Sequence, residues 1–180
     1  MGRRRDPIAA ASLAIAVLAL AAGAASAQHR AHVHGEAMLR IAVEGAMVAI
    51  ELEAPLESLI GFERAPRTAA ERTAVAALRA RFAKPGELFV LDAEARCTVT
   101  ASELSAPSLD GKPAEGDHAE LTATVTATCA LPAKLRTLDV RLFADHPNLA
   151  RIRVEAVGPG GATRRELRRG ATTVSLGRSG

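Results

Sequence analysis

Tryptophan and tyrosine are absent from this sequence of 180 residues, and phenylalanine occurs only four times. Nucleic-acid binders pair a basic surface with rings on which bases stack, so a chain this poor in rings is not expected to be one. Cysteine is scarce as well. Cys97 and Cys129 are too far apart for a Cys-x-x-Cys redox pair. The signatures of common enzymes are also missing: no Gly-x-Ser-x-Gly, no Walker loop, no dinucleotide glycine pattern, no His-Glu-x-x-His. The reading is therefore of a protein that is not an enzyme.

Long apolar runs are missing too, with one exception at the start. Arg3, Arg4 and Arg5 precede an apolar run from Ile8 to Ala22 broken only by Ser12, and Ala25-Ser26-Ala27 follows. A basic segment, an apolar segment and small residues at the cut make a secretory signal, with cleavage expected between Ala27 and Gln28. The alternative, an uncleaved anchor, wants about 20 strongly apolar residues, and this run is alanine-rich. No cysteine stands at the cut to carry a lipid. Residues 1–27 are thus expected to be removed, leaving residues 28–180 as a single soluble β-rich domain with no membrane span. The leader holds three arginines and one aspartate, so its loss takes the formal net charge from +3 to +1. In an exported chain, Cys97 and Cys129 are expected to form one disulfide, the alternative being two buried thiols.

What is present is mostly alternation. Leu39, Ile41 and Val43, then Val48, Ile50 and Leu52, have the two-residue period of a half-buried hairpin. A turn at Glu44-Gly45 would set Val43 opposite Ala46, Ile41 opposite Val48 and Leu39 opposite Ile50. A loop is expected over Leu56–Arg67. Thr68 and Glu71 form a capping box, and Val75, Leu78 and Phe82 make the inward stripe of a helix that Pro85-Gly86 stops. Further strands are expected at 88–91, 95–102, 121–129, 138–142, 149–157 and 172–176. Threonine alternation from Thr122 to Thr128 marks the clearest of them. If strands 95–102 and 121–129 pair antiparallel, Val99 meets Ala127 and Cys97 meets Cys129, both sulfurs facing inward. Arg164, Arg165, Arg168 and Arg169 read as a solvated strand edge. The polar stretch 105–117 reads as a mobile loop. The fold class is mainly β, or α+β: an antiparallel sheet or sandwich of about seven to eight strands with one packed helix.

Chemistry points to the histidines. His29, His32 and His34 crowd the start of the mature chain, followed by Glu36. In an extended segment His32, His34 and Glu36 would stand in one row, about 6.5–7 Å apart, from which imidazoles converge on a cation. Neutral imidazole suits zinc, copper and nickel. The plain alternative is a solvated end of chain. His118 is either a ligand donated by the loop or an exposed histidine where a strand begins. His146, before Pro147, is either a structural histidine in a turn or a ligand.

Residues 32–39, His-Val-His-Gly-Glu-Ala-Met-Leu, resemble the opening of the ZrgA-type family of zinc-regulated periplasmic proteins. Glu44-Gly45, Glu53-Ala54-Pro55, Leu59-Ile60-Gly61-Phe62-Glu63 with Pro66 and Thr68, Leu88-Phe89, Cys97, Cys129 with Pro132, and Leu142-Phe143 with Pro147 extend the resemblance over residues 32–176. It implies a periplasmic zinc-binding protein assisting zinc acquisition beside a zinc importer or its solute-binding protein. The family's mid-chain loop is rich in histidine. This chain departs from it, keeping His118 beside Asp110, Glu115, Asp117 and Glu120. The candidate ligands are thus His32, His34, His29, His118 and Glu36 for Zn2+, with Cu2+ as an alternative cargo. A metal-independent binding module for an envelope protein, docking through an exposed Leu59–Phe62 segment, is the other alternative.

Overall fold

The computed structural model describes residues 34–112 and 119–177. The expected opening hairpin is there as β1 (Glu36–Glu44) and β2 (Met47–Pro55), but in another register. Leu39 faces Leu52, Ile41 faces Ile50 and Val43 faces Val48, so the turn is Gly45-Ala46 rather than Glu44-Gly45. The two registers differ by two residues and bury the same side chains, so hydrophobic alternation alone does not separate them. The turn does. Its first position has φ +57°, and glycine occupies it.

After β2 come three helices: α1 (Leu56–Ile60), in the segment expected to be loop, α2 (Ala69–Phe82) and α3 (Pro85–Leu88). α2 has the expected capping box, with Thr68 and Glu71 satisfying each other's backbone N–H groups. Its buried stripe is Val75, Leu78 and Phe82. Pro85 occupies the first turn of α3, where its missing N–H costs nothing.

The remaining strands are β3 (Phe89–Leu91), β4 (Cys97–Ser105), β5 (Glu120–Cys129), β6 (Thr137–Val140), β7 (Arg151–Gly158), β8 (Gly161–Arg168) and β9 (Thr173–Ser175). They form a six-stranded sheet in the order β4-β5-β2-β1-β7-β8 and a three-stranded sheet in the order β3-β6-β9. The described residues hold nine strands, and the large sheet is mixed because β1 and β7 run parallel. β8 is the edge strand that holds Arg164, Arg165 and Arg168, all exposed.

One core serves both sheets. Leu39, Ile50, Leu52 and Leu121 of the large sheet belong to the same buried cluster as Leu78 and Phe82 of α2 and Leu138, Val140 and Val174 of the small sheet. Each such leucine contributes about 1.5–3 kcal/mol by leaving water. The opposite face of the large sheet is polar, and there Arg40 pairs with Glu51 and Glu53 at 2.8 Å each.

Cys97 and Cys129 face each other across β4 and β5 and are joined as a disulfide. Val99 faces Ala127 in the expected register. Further along β4 the side chains are open to solvent: Val99 is 38% exposed and Ala101 is exposed. β4 is an edge strand, and its register shifts between Val99 and Ala101. A bulge re-aims the side chains beyond it. Of the segment expected as a loop over 105–117, the described part contains a 3-10 turn at Pro107–Asp110 that buries Ser108 and Leu109.

Two outcomes follow for stability. The bridge closes a sequence separation of 32 residues, so replacing both cysteines with serine should lower unfolding free energy by about 3–4 kcal/mol in denaturant titrations. Glu71 accepts from Arg64 and from the backbone N–H groups of Arg67 and Thr68, and these bonds hold its carboxyl down at about 2. A depressed carboxylate stabilises the fold above its unfolded range and ceases to do so as pH falls through the folded value. Glu71→Gln should therefore be less stable than wild type at neutral pH, with the gap closing between about pH 5 and pH 2.

Candidate metal centre

The site is assembled where β2 turns into α1. Pro55 closes the strand, and the Leu56 N–H donates to Ala119 O at 2.9 Å. Leu56, Ser58 and Leu59 of α1 point into the core, which leaves Glu57 toward the rim. Gly61, at φ +82°, ends the helix in the left-handed conformation and donates its N–H to Glu57 O at 2.9 Å. That reversal brings Glu63 back beside Glu57.

His34 arrives from the start of β1. Gly35 has φ +79°, and its N–H donates to Ser58 Oγ at 2.9 Å. Its carbonyl accepts from Ala150 N at 2.8 Å and Arg151 N at 3.0 Å. Held in this way, His34 sets Nδ1 against Glu57 Oε2. One donor atom each from His34, Glu57 and Glu63 lie within 4.8 Å of one another. His34 is exposed and the two glutamates are half-buried.

Zinc takes nitrogen at about 2.0–2.1 Å and carboxylate oxygen at about 2.0–2.2 Å, so its tetrahedral donors stand about 3.3–3.5 Å apart. The three donor atoms, within 4.8 Å of one another, stand about 1.5 Å or less beyond that spacing. One imidazole and two carboxylates also neutralise a divalent cation. The donor set fits zinc and leaves one position for a further ligand.

The structure treats the expected ligands differently. His34 is in the cluster. Glu36 is not: its carboxylate, 11% exposed, is held by Arg151 and Arg153 of β7. The expected single row through His34 and Glu36 is broken because Gly35 turns the chain before β1 begins. His29, His32 and His118 lie outside the described residues. His146 is 4% exposed, and its Nδ1–H donates to Leu59 O at 2.9 Å, tying its loop to α1. Burial lowers its pKa from the usual histidine value, so it is neutral at physiological pH. The Leu59–Phe62 segment, the contact surface of the metal-independent alternative, is only partly open: Gly61 is exposed and Ile60 and Phe62 are half-buried. Leu59 is buried, and Ile60 and Phe62 pack against the core.

A family model described as ZrgA family zinc uptake protein matches residues 31–176. The chain belongs to that family. No curated protein matches it. In this ZrgA family member the candidate donors that sequence reasoning missed are Glu57 and Glu63. Glu63 lay in the Gly-Phe-Glu block without being read as a donor, and Glu57 lay in an expected loop. The signal that pairs them is Gly61 between them, since a glycine at positive φ lets the chain double back.

His146 yields a test of how α1 is held. His146→Ala removes a packed ring and leaves the Leu59 carbonyl without its bond, which should cost about 2–4 kcal/mol. A histidine whose folded pKa is lowered stabilises the fold above its unfolded pKa and loses that contribution as pH falls. Wild-type stability, measured by urea titration with chelator present, should therefore decline below about pH 6.5, and this decline should be smaller in the variant.

Proposed function

We propose that this protein is an exported, periplasmic zinc-binding accessory of zinc uptake, and that His34, Glu57 and Glu63 form the core of its zinc site. The observation that carries the reading is the convergence of those three side chains in a chain of the ZrgA family. His32, two residues before His34, is the first candidate for the open position, with His29 and the loop histidine His118 after it. Glu36, engaged by two arginines, serves the strand rather than the ion in this reading.

The leader over residues 1–27 supports export, and the Cys97–Cys129 bridge suits an oxidising compartment. No helix among the described residues is long and apolar enough to cross a membrane. A half-exposed site with an exposed histidine suits transient holding, from which zinc passes to an importer or its solute-binding protein. The protein acts by binding, without catalysis. The copper alternative gains no donor of its own among the described residues. Copper(II) would still bind histidine more tightly than zinc in the test tube, so affinity for copper does not argue for a copper role.

The test is zinc titration of the untagged mature protein in competition with a chromophoric chelator. Wild type should bind one ion at this site. His34→Ala and the double variant Glu57→Gln/Glu63→Gln should each weaken binding by at least about tenfold. Wild-type affinity in both would show that the site lies elsewhere.

A further inference from the structure

Ser58 has an unusual place for its chemistry. Serine inside a helix competes with the helix for backbone hydrogen bonds unless its hydroxyl is engaged elsewhere. Here the residue is 1% exposed, and a hydroxyl that deep requires a partner. Its partner is the Gly35 N–H, 23 residues away in sequence, at 2.9 Å. The peptide held in this way joins His34 to Gly35, so the bond acts on the backbone directly after the His34 Cα. Ser58 is also bonded covalently to Glu57. One hydrogen bond therefore sets the distance between two candidate donors from separate parts of the chain.

The opposite side of Gly35 is equally restricted. Its carbonyl is held by Ala150 N and Arg151 N, and a Cβ added to it would come 3.2 Å from Asn148 O. The glycine cannot shift toward β7, and its φ of +79° is one that other residues rarely adopt. Ser58 closes the remaining direction.

We infer that Ser58 is a positioning residue of the zinc site: by accepting the Gly35 N–H, its hydroxyl holds the His34 imidazole against Glu57 and Glu63. It does not touch the ion. The inference rests on the zinc site proposed above. Groups that orient metal ligands typically change affinity by about 10–100-fold when removed.

The experiment uses the untagged protein purified from its own compartment, with Zn2+ for affinity and Co2+ as a spectroscopic probe, because the visible bands of cobalt(II) report the number and arrangement of its ligands. Wild type, Ser58→Ala, Gly35→Ala and His34→Ala are compared, with circular dichroism confirming that each is folded. Ser58→Ala is expected to raise the zinc Kd about 10–100-fold and to shift the cobalt bands toward a weaker, more hydrated pattern. Gly35→Ala should do the same from the other side of the peptide, and it decides the matter if Ser58→Ala does not fold. Unchanged affinity and unchanged cobalt bands in both, with binding lost in His34→Ala, would overturn the positioning role and leave the site standing. Wild-type binding by His34→Ala would overturn the site itself, and this inference with it.

Discussion

The peptide between His34 and Gly35 is the constraint on which the candidate centre depends. Three parts of the fold meet there: Ser58 of α1 takes the Gly35 N–H, and the start of β7 donates two N–H groups to the Gly35 carbonyl. The same carbonyl begins the parallel pairing of β1 with β7, in which Glu36 lies beside Arg151. A residue with a Cβ could not take this conformation without strain and a close approach to Asn148 O. The glycine therefore does two things at once. It starts the central strand and turns the preceding histidine out of the plane of the sheet toward α1.

That division separates the one acid close in sequence to His34, Glu36, from the two that lie beside it in space, Glu57 and Glu63. Glu36, on the far side of the glycine turn, belongs to the strand and meets arginines, which neutralise it. Glu57 and Glu63 meet only 4.8 Å or less from an imidazole and from each other. Two negative charges that close repel each other. A divalent cation reverses the sign of that interaction. The hydrophobic core supplies the rigidity, since Leu56 and Leu59 anchor α1 on either side of Glu57 and Ser58. His146 fastens the end of the same helix through Leu59 O.

Much of the scaffold was legible in the residues. Alternation located the β1–β2 hairpin and the β5 strand, the Thr68–Glu71 box located α2, and the facing positions of Cys97 and Cys129 followed from pairing two alternating strands. Errors arose where periodicity carries no information. A two-residue slip in the hairpin leaves every side chain on the same face, so only the conformation of Gly45 separates the registers. A five-residue helix such as α1 is too short to show a helical period. The bulge in β4 changes which side chains face outward without changing the sequence pattern that suggests a strand.

The amino-acid sequence by itself determined the class of fold, the cysteine pairing and a cluster of histidines just ahead of the first strand. These are local properties, written in alternation, spacing and residue type. Which acids lie beside His34 was decided only by tertiary structure. Glu57 and Glu63 reach His34 because Gly35, Gly61 and Ser58 bend and hold backbone from segments remote in sequence. The family resemblance pointed to zinc, but no local pattern encodes that meeting, since it depends on hydrogen bonds between residues more than twenty positions apart.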